Sequence, residues 1–93
     1  MQANAARATA LLKSMANESR LMILCLLAEQ EMTVTELGQQ LSLSQSALSQ
    51  HLGLLRREGV VKTRREAQFI RYSLDSHEVE RLIATLCELF KPQ

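Results

Sequence analysis

Hydrophobic residues recur along this chain first with a helical period and then, after Gly59, with a period of two. From Ala3 to Met15, five alanines precede Leu11, Leu12 and Met15, a composition of strong helix formers. Asn17 is an N-cap for a second helix through about Glu29, with Glu18 in its favourable first turn. The run LMILCLLA leaves that helix apolar on every side, which predicts the central buried element. Thr33 and Glu36 stand in capping-box spacing at the start of a third helix ending near Leu41. Ser44 caps a fourth, which Gly59 stops. Residues 60–65 and 69–74 then read as strands, with Ile70, Tyr72 and Leu74 inward and Phe69, Arg71 and Ser73 outward. The turn Glu66-Ala67-Gln68 holds neither Gly nor Asn, so its type stays open. Asp75 or Ser76 caps a last helix to about Phe90. Its apolar set (Val79, Leu82, Ile83, Leu86, Leu89, Phe90) covers an arc of about 120°. The expectation is a mainly α chain with a small β-hairpin, one domain over residues 1–93: a winged helix-turn-helix.

The fourth helix divides into two faces at 100° per residue. Leu54, Ala47, His51, Leu55, Leu48 and Leu52 fill one arc, and Gln45, Arg56, Ser49, Gly53, Ser46, Arg57 and Gln50 fill the other. An exposed helix face ordinarily alternates Glu with Lys. This one shows amides and hydroxyls, no acid, and two arginines at its end. Such a face suits base edges in a major groove, where amides and hydroxyls donate or accept and phosphate repels carboxylates. Gln45, Ser46, Ser49 and Gln50 are therefore the candidate base contacts. His51 falls among the apolar positions and reads as a packed, hydrogen-bonded side chain.

The formal net charge of +1 hides an uneven distribution. Arg56, Arg57, Lys62, Arg64, Arg65 and Arg71 lie in one segment with only Glu58 and Glu66, so the basic charge directly follows the polar-faced helix. These six are candidate phosphate or minor-groove contacts. With three aromatics in all, the chain lacks the stacking platforms of single-stranded nucleic-acid binders, which favours duplex DNA. No apolar leader is visible near the N-terminus and the apolar run at 21–28 is too short for a bilayer. The expectation is a cytoplasmic protein that contacts no membrane, with both cysteines reduced at rest. The single proline is Pro92.

ANESRLMILCLL, LSQSALSQHLGLLRREGVV and RREAQFIRYSL, in this order, resemble the ArsR/SmtB family of bacterial winged-helix repressors. Within it the chain is most similar to the HlyU/BigR-like subgroup, which lacks metal sites and includes sulfide and redox sensors. The resemblance implies a homodimer whose first and last helices build the interface, a two-fold inverted-repeat operator and no cofactor. It also directs attention to metals. The thiolate-rich motif of metal-sensing members is missing from Thr33-Val34-Thr35-Glu36-Leu37; the Asp-x-His half of their last-helix site is matched by Asp75-Ser76-His77, but where the other half, from the partner subunit, needs His and Glu this chain has Glu88 and Lys91. A protonated lysine cannot ligate, so no metal is expected.

Cys25 and Cys87 lie 62 residues apart, on helices the resemblance makes neighbours. Cys25 matches the first cysteine of the subgroup's dithiol switch, whereas the second falls at Lys91, one helical turn beyond Cys87. A four-residue shift keeps the face but moves the sulfur about 6 Å along the axis. Two readings stand: a switch worked by an oxidant or reactive sulfur species, or two structural thiols. An anti-repressor that competes for the operator and a winged helix used for protein binding are the alternatives in function. A thiol enzyme finds no CxxC motif or companion base.

Overall fold

The computed structural model describes residues 1–91; Pro92 lies outside them. After a 3-10 turn at Gln2–Asn4 come α1 (Ala5–Met15), α2 (Glu18–Glu29), β1 (Met32–Thr33), α3 (Val34–Gln40), α4 (Gln45–Arg57), β2 (Val61–Glu66), β3 (Phe69–Leu74) and α5 (His77–Leu89). The expected caps form. Asn17 accepts from the Arg20 amide, Ser44 from Ala47 and Ser76 from Val79, so Ser76 and not Asp75 opens α5. At α4's C-terminus Gly59 takes φ +74°, with its amide on the Arg56 carbonyl and that of Val60 on Leu55. That is a Schellman motif, whose left-handed residue a side chain would strain.

The core is built where these elements meet. Ile23, Leu24 and Leu27 from α2 are buried with Leu37, Leu48, Leu52, Leu55, Val60, Val61, Leu74, Val79 and Ile83. The second helix is less enclosed than its all-round apolar sequence predicts. Met22 is exposed and Leu21, Cys25 and Leu26 are half-buried, because only one of its sides meets the other elements.

A two-residue strand joins the expected hairpin, giving an antiparallel sheet in the order β1-β3-β2. Met32 pairs with Tyr72 and Thr33 with Arg71. Nothing in the sequence predicts β1, since two residues carry no periodicity. Tyr72 and Leu74 lie inward as expected, but Ile70 is 40% exposed because the hairpin runs out beyond the core. Glu66 faces Phe69 across the two-residue turn Ala67-Gln68. Ala67 sits at φ 56° while Gln68 stays negative, the φ signs of a II′ turn. A Cβ is disfavoured there. Ala67→Gly should therefore raise the unfolding free energy by about 0.5–1 kcal/mol, read from urea midpoints; a loss of stability would contradict the turn geometry.

Candidate nucleic-acid interface

Two N-caps orient the helix pair α3–α4. In α3 the Thr33 hydroxyl accepts from the Glu36 amide at 3.1 Å and the Glu36 carboxylate accepts from the Thr33 amide at 2.8 Å. That capping box secures a helix of seven residues, too short to persist on propensity alone. In α4 the Ser44 hydroxyl accepts from Ala47 at 3.0 Å. Leu48, Leu52 and Leu55 then anchor one side of α4 in the core. Gln45, Ser46, Ser49 and Gln50 are all exposed on the other. Arg56 and Arg57 in the last turn are exposed too, where the helix dipole favours cations. His51 is half-buried, and no side-chain hydrogen bond among the described residues involves it, so the expected polar contact does not form.

The hairpin cations differ among themselves. Lys62 lies 3.9 Å from Asp75, and Arg65 is exposed with its Nε 3.3 Å from the Ala67 carbonyl oxygen. Arg64 donates to Glu31 from Nε at 3.0 Å and from Nη2 at 2.8 Å, and its Nη1 lies 3.4 Å from Glu66. Arg71 donates from Nε to Glu66 at 2.8 Å and sits 3.6 Å from Glu36. These arginines hold the carboxyls of Glu31 and Glu66 below the usual carboxylate range; that of Glu36 is lowered chiefly by the Thr33 amide. Expected among the phosphate contacts, Arg64 and Arg71 are thus engaged within the chain. Glu31 and Glu36 were missed because they precede their partners by more than thirty residues. Glu66 was within reach of the hairpin register.

Cys25 is half-buried on α2, Cys87 is exposed on α5, and both are free thiols. Burial, with the neighbouring Cys87 thiol as the next contribution, pushes the Cys25 thiol up to about 11. α2 and α5 pack against each other, so the two cysteines share one neighbourhood of the fold, Cys87 lying one helical turn short of Lys91. Among the described residues no group of three His, Cys, Asp or Glu side chains converges to hold a metal. None of the helices described is long and apolar enough to cross a membrane.

Residues 17–63, which span α2, the α3–α4 pair and the start of β2, match the family described as bacterial regulatory protein, arsR family. The chain belongs to the ArsR family. This ArsR-family protein is 56% identical over 90 residues to the transcriptional activator HlyU of Vibrio cholerae, covering 97% of this chain and 83% of that one. It is 44% identical over 90 residues to a biofilm growth-associated repressor of Agrobacterium fabrum, covering 97% and 77% respectively. The solved structure of reduced HlyU from Vibrio cholerae superposes with a TM-score of 0.93 at 54% identity, covering 99% of this chain and 97% of that one. The winged helix is therefore shared along the whole chain. As a member of this family the protein is a DNA-binding transcription regulator and not an enzyme.

Proposed function

We propose that the protein is a homodimeric, sequence-specific binder of double-stranded DNA that represses by covering a promoter. One observation carries this reading. The outer side of α4 presents Gln45, Ser46, Ser49 and Gln50 to solvent without a single carboxylate, while its inner leucines lock the helix in place. Glutamine pairs bidentately with adenine and serine donates or accepts, so these four read bases. Arg56, Arg57, Lys62 and Arg65 supply phosphate contacts around them.

Dimerisation fits what α1 and α5 leave uncovered. Leu12 is 55% exposed, and Leu89 and Phe90 are 70% and 79% exposed, more apolar surface than a small monomer leaves in water. A second copy covering these helices would place two α4 helices in successive major grooves, about one helical turn apart, on an inverted repeat. For the effector, the adjacency of Cys25 and Cys87 supports the dithiol switch over two unrelated structural thiols. An oxidant would take two electrons and two protons from the pair and link α2 to α5 by a disulfide; a polysulfide reagent could do the same, or donate sulfur into the bridge, its remaining sulfur leaving as hydrosulfide.

The test is discrimination. An operator is first selected by the wild type from random duplexes. Gln50→Ala should then lose about tenfold or more in affinity for that operator, in line with one bidentate base contact, and keep its affinity for mixed-sequence DNA. Equal losses on both duplexes would remove Gln50 from base reading. If wild type selects no operator, the protein-binding alternative takes its place.

A further inference from the structure

The hairpin's positive charges are arranged by sheet face. Arg64 lies directly opposite Arg71, and Arg71 opposite Thr33, so this row shares one face of the sheet. Arg65 lies opposite Ile70 on the other face. Two arginines facing each other across an antiparallel pair repel unless an anion lies between them. Glu66 does: one of its oxygens is 3.4 Å from Arg64 and the other 2.8 Å from Arg71. Glu31, the residue just before β1, accepts from Nε and Nη2 of Arg64. Glu36 closes the other end, where the oxygen that accepts from the Thr33 amide lies 3.6 Å from Arg71. The sequence of charges is Glu31, Arg64, Glu66, Arg71, Glu36. It runs from the start of β1 across both hairpin strands to the first turn of α3.

We propose that Arg64 and Arg71, held by Glu31, Glu36 and Glu66, form a clamp that positions the hairpin against α3, and that Arg65 is the hairpin arginine that contacts DNA phosphate. The proposal rests on the DNA-binding reading above. Three carboxylates outnumber two guanidiniums, so an approaching phosphate meets a cluster with a net negative charge. Each of the three guanidinium nitrogens of Arg64 already serves a carboxylate. Arg65 has no carboxylate partner among the described residues and reaches only the turn carbonyl, so it binds a phosphate without giving up an ion pair. Glu36 serves both the capping box and Arg71, which makes it the joint between hairpin and helix pair. Glu31, Glu36 and Glu66 are positioning residues.

Salt dependence separates the two tasks, because each phosphate contact contributes about 0.9 to the slope of log affinity against log salt. The wild type and variants are titrated onto mixed-sequence duplex DNA across a salt series, each first checked for a folded circular dichroism spectrum. Arg65→Ala should give a slope shallower by about one contact, and Arg64→Ala an unchanged slope. Glu31→Gln frees Arg64 and should steepen the slope by up to one contact, a gain absent from the Glu31→Gln/Arg64→Ala double variant. A slope in Arg64→Ala as shallow as that of Arg65→Ala overturns the division. So does an unchanged slope in Glu31→Gln. If Arg64→Ala does not fold, Glu31→Gln and Arg65→Ala decide by the same criteria. A wild type with no salt-dependent affinity defeats the DNA-binding reading itself, a different result from either.

Discussion

Leu52→Ala should lower the unfolding free energy by about 2–5 kcal/mol, because it empties the space under the middle of α4. Leu52 is 1% exposed and lies between Leu48 and Leu55, the other two leucines with which α4 meets the core. The lost transfer energy and the unfilled cavity add, and a close-packed interior relaxes only in part. A domain of this size has about 5–14 kcal/mol of stability in all, so this one change removes a large share of it. Each kcal/mol lowers the melting temperature by about 4–8 °C in a domain of this size. Gln50→Ala, two residues earlier on the exposed side, should stay within about 0.5 kcal/mol of wild type. Urea unfolding of both variants checks the pair. A cost below about 1 kcal/mol for Leu52→Ala would mean that α4 is not anchored through its leucines. The contrast separates the side of α4 that holds the fold from the side proposed to meet DNA.

That division of α4 was readable in the sequence because it is local. Helical spacing sorts Leu48, Leu52 and Leu55 from Gln45, Ser49 and Gln50, and the caps at Asn17, Thr33 and Ser44 act within three residues of themselves. What depends on distant partners was not readable. β1 exists only because Met32 and Thr33 find Tyr72 and Arg71 some forty residues away. The reach of Glu31 and Glu36 to the hairpin arginines follows from that pairing, so a basic segment that looked free is half neutralised from outside itself. Met22 and Ile70 failed in the opposite sense. Both are apolar at positions a pattern assigns to the interior, yet burial requires a neighbour: Met22 lies on a side of α2 left uncovered, and Ile70 on the part of the hairpin that runs past the core. The candidate DNA contacts on α4 come from periodicity alone; the sorting of the hairpin arginines needed the sheet register.

The thiol pair leads to the second large effect, a difference in chemical reactivity between two neighbouring cysteines. Only the thiolate attacks electrophiles and disulfides, and Cys25 is raised from an ordinary 9.0 to about 11. The main cause is burial, which penalises the charged form; the sulfur of Cys87 and the carboxylate of Glu29 add to it. Raising an acid's pKa leaves it protonated at neutral pH, so the thiolate fraction of Cys25 near pH 7 is about a hundredfold below that of an unperturbed thiol. Cys87 is exposed and open to reagent. Iodoacetamide at pH 7.5 should therefore label Cys87 first and Cys25 at least about tenfold more slowly, with the Cys25 rate climbing as pH rises towards 11. Peptide mass spectrometry over a time course reads both sites. Under the proposed switch, Cys87 would displace the leaving group of an electrophilic sulfur reagent to become a persulfide or mixed disulfide, and Cys25 would then attack the Cys87 sulfur, expelling hydrosulfide or thiolate and closing the disulfide. The burial of Cys25 then prevents premature reaction, and proximity supplies the local concentration its weak ionisation lacks. In Cys87→Ser the bridge cannot form, and Cys25 should remain slow to react. Rapid labelling of Cys25 at neutral pH in either protein would show a thiolate there and reverse the assignment of attacking and receiving sulfur.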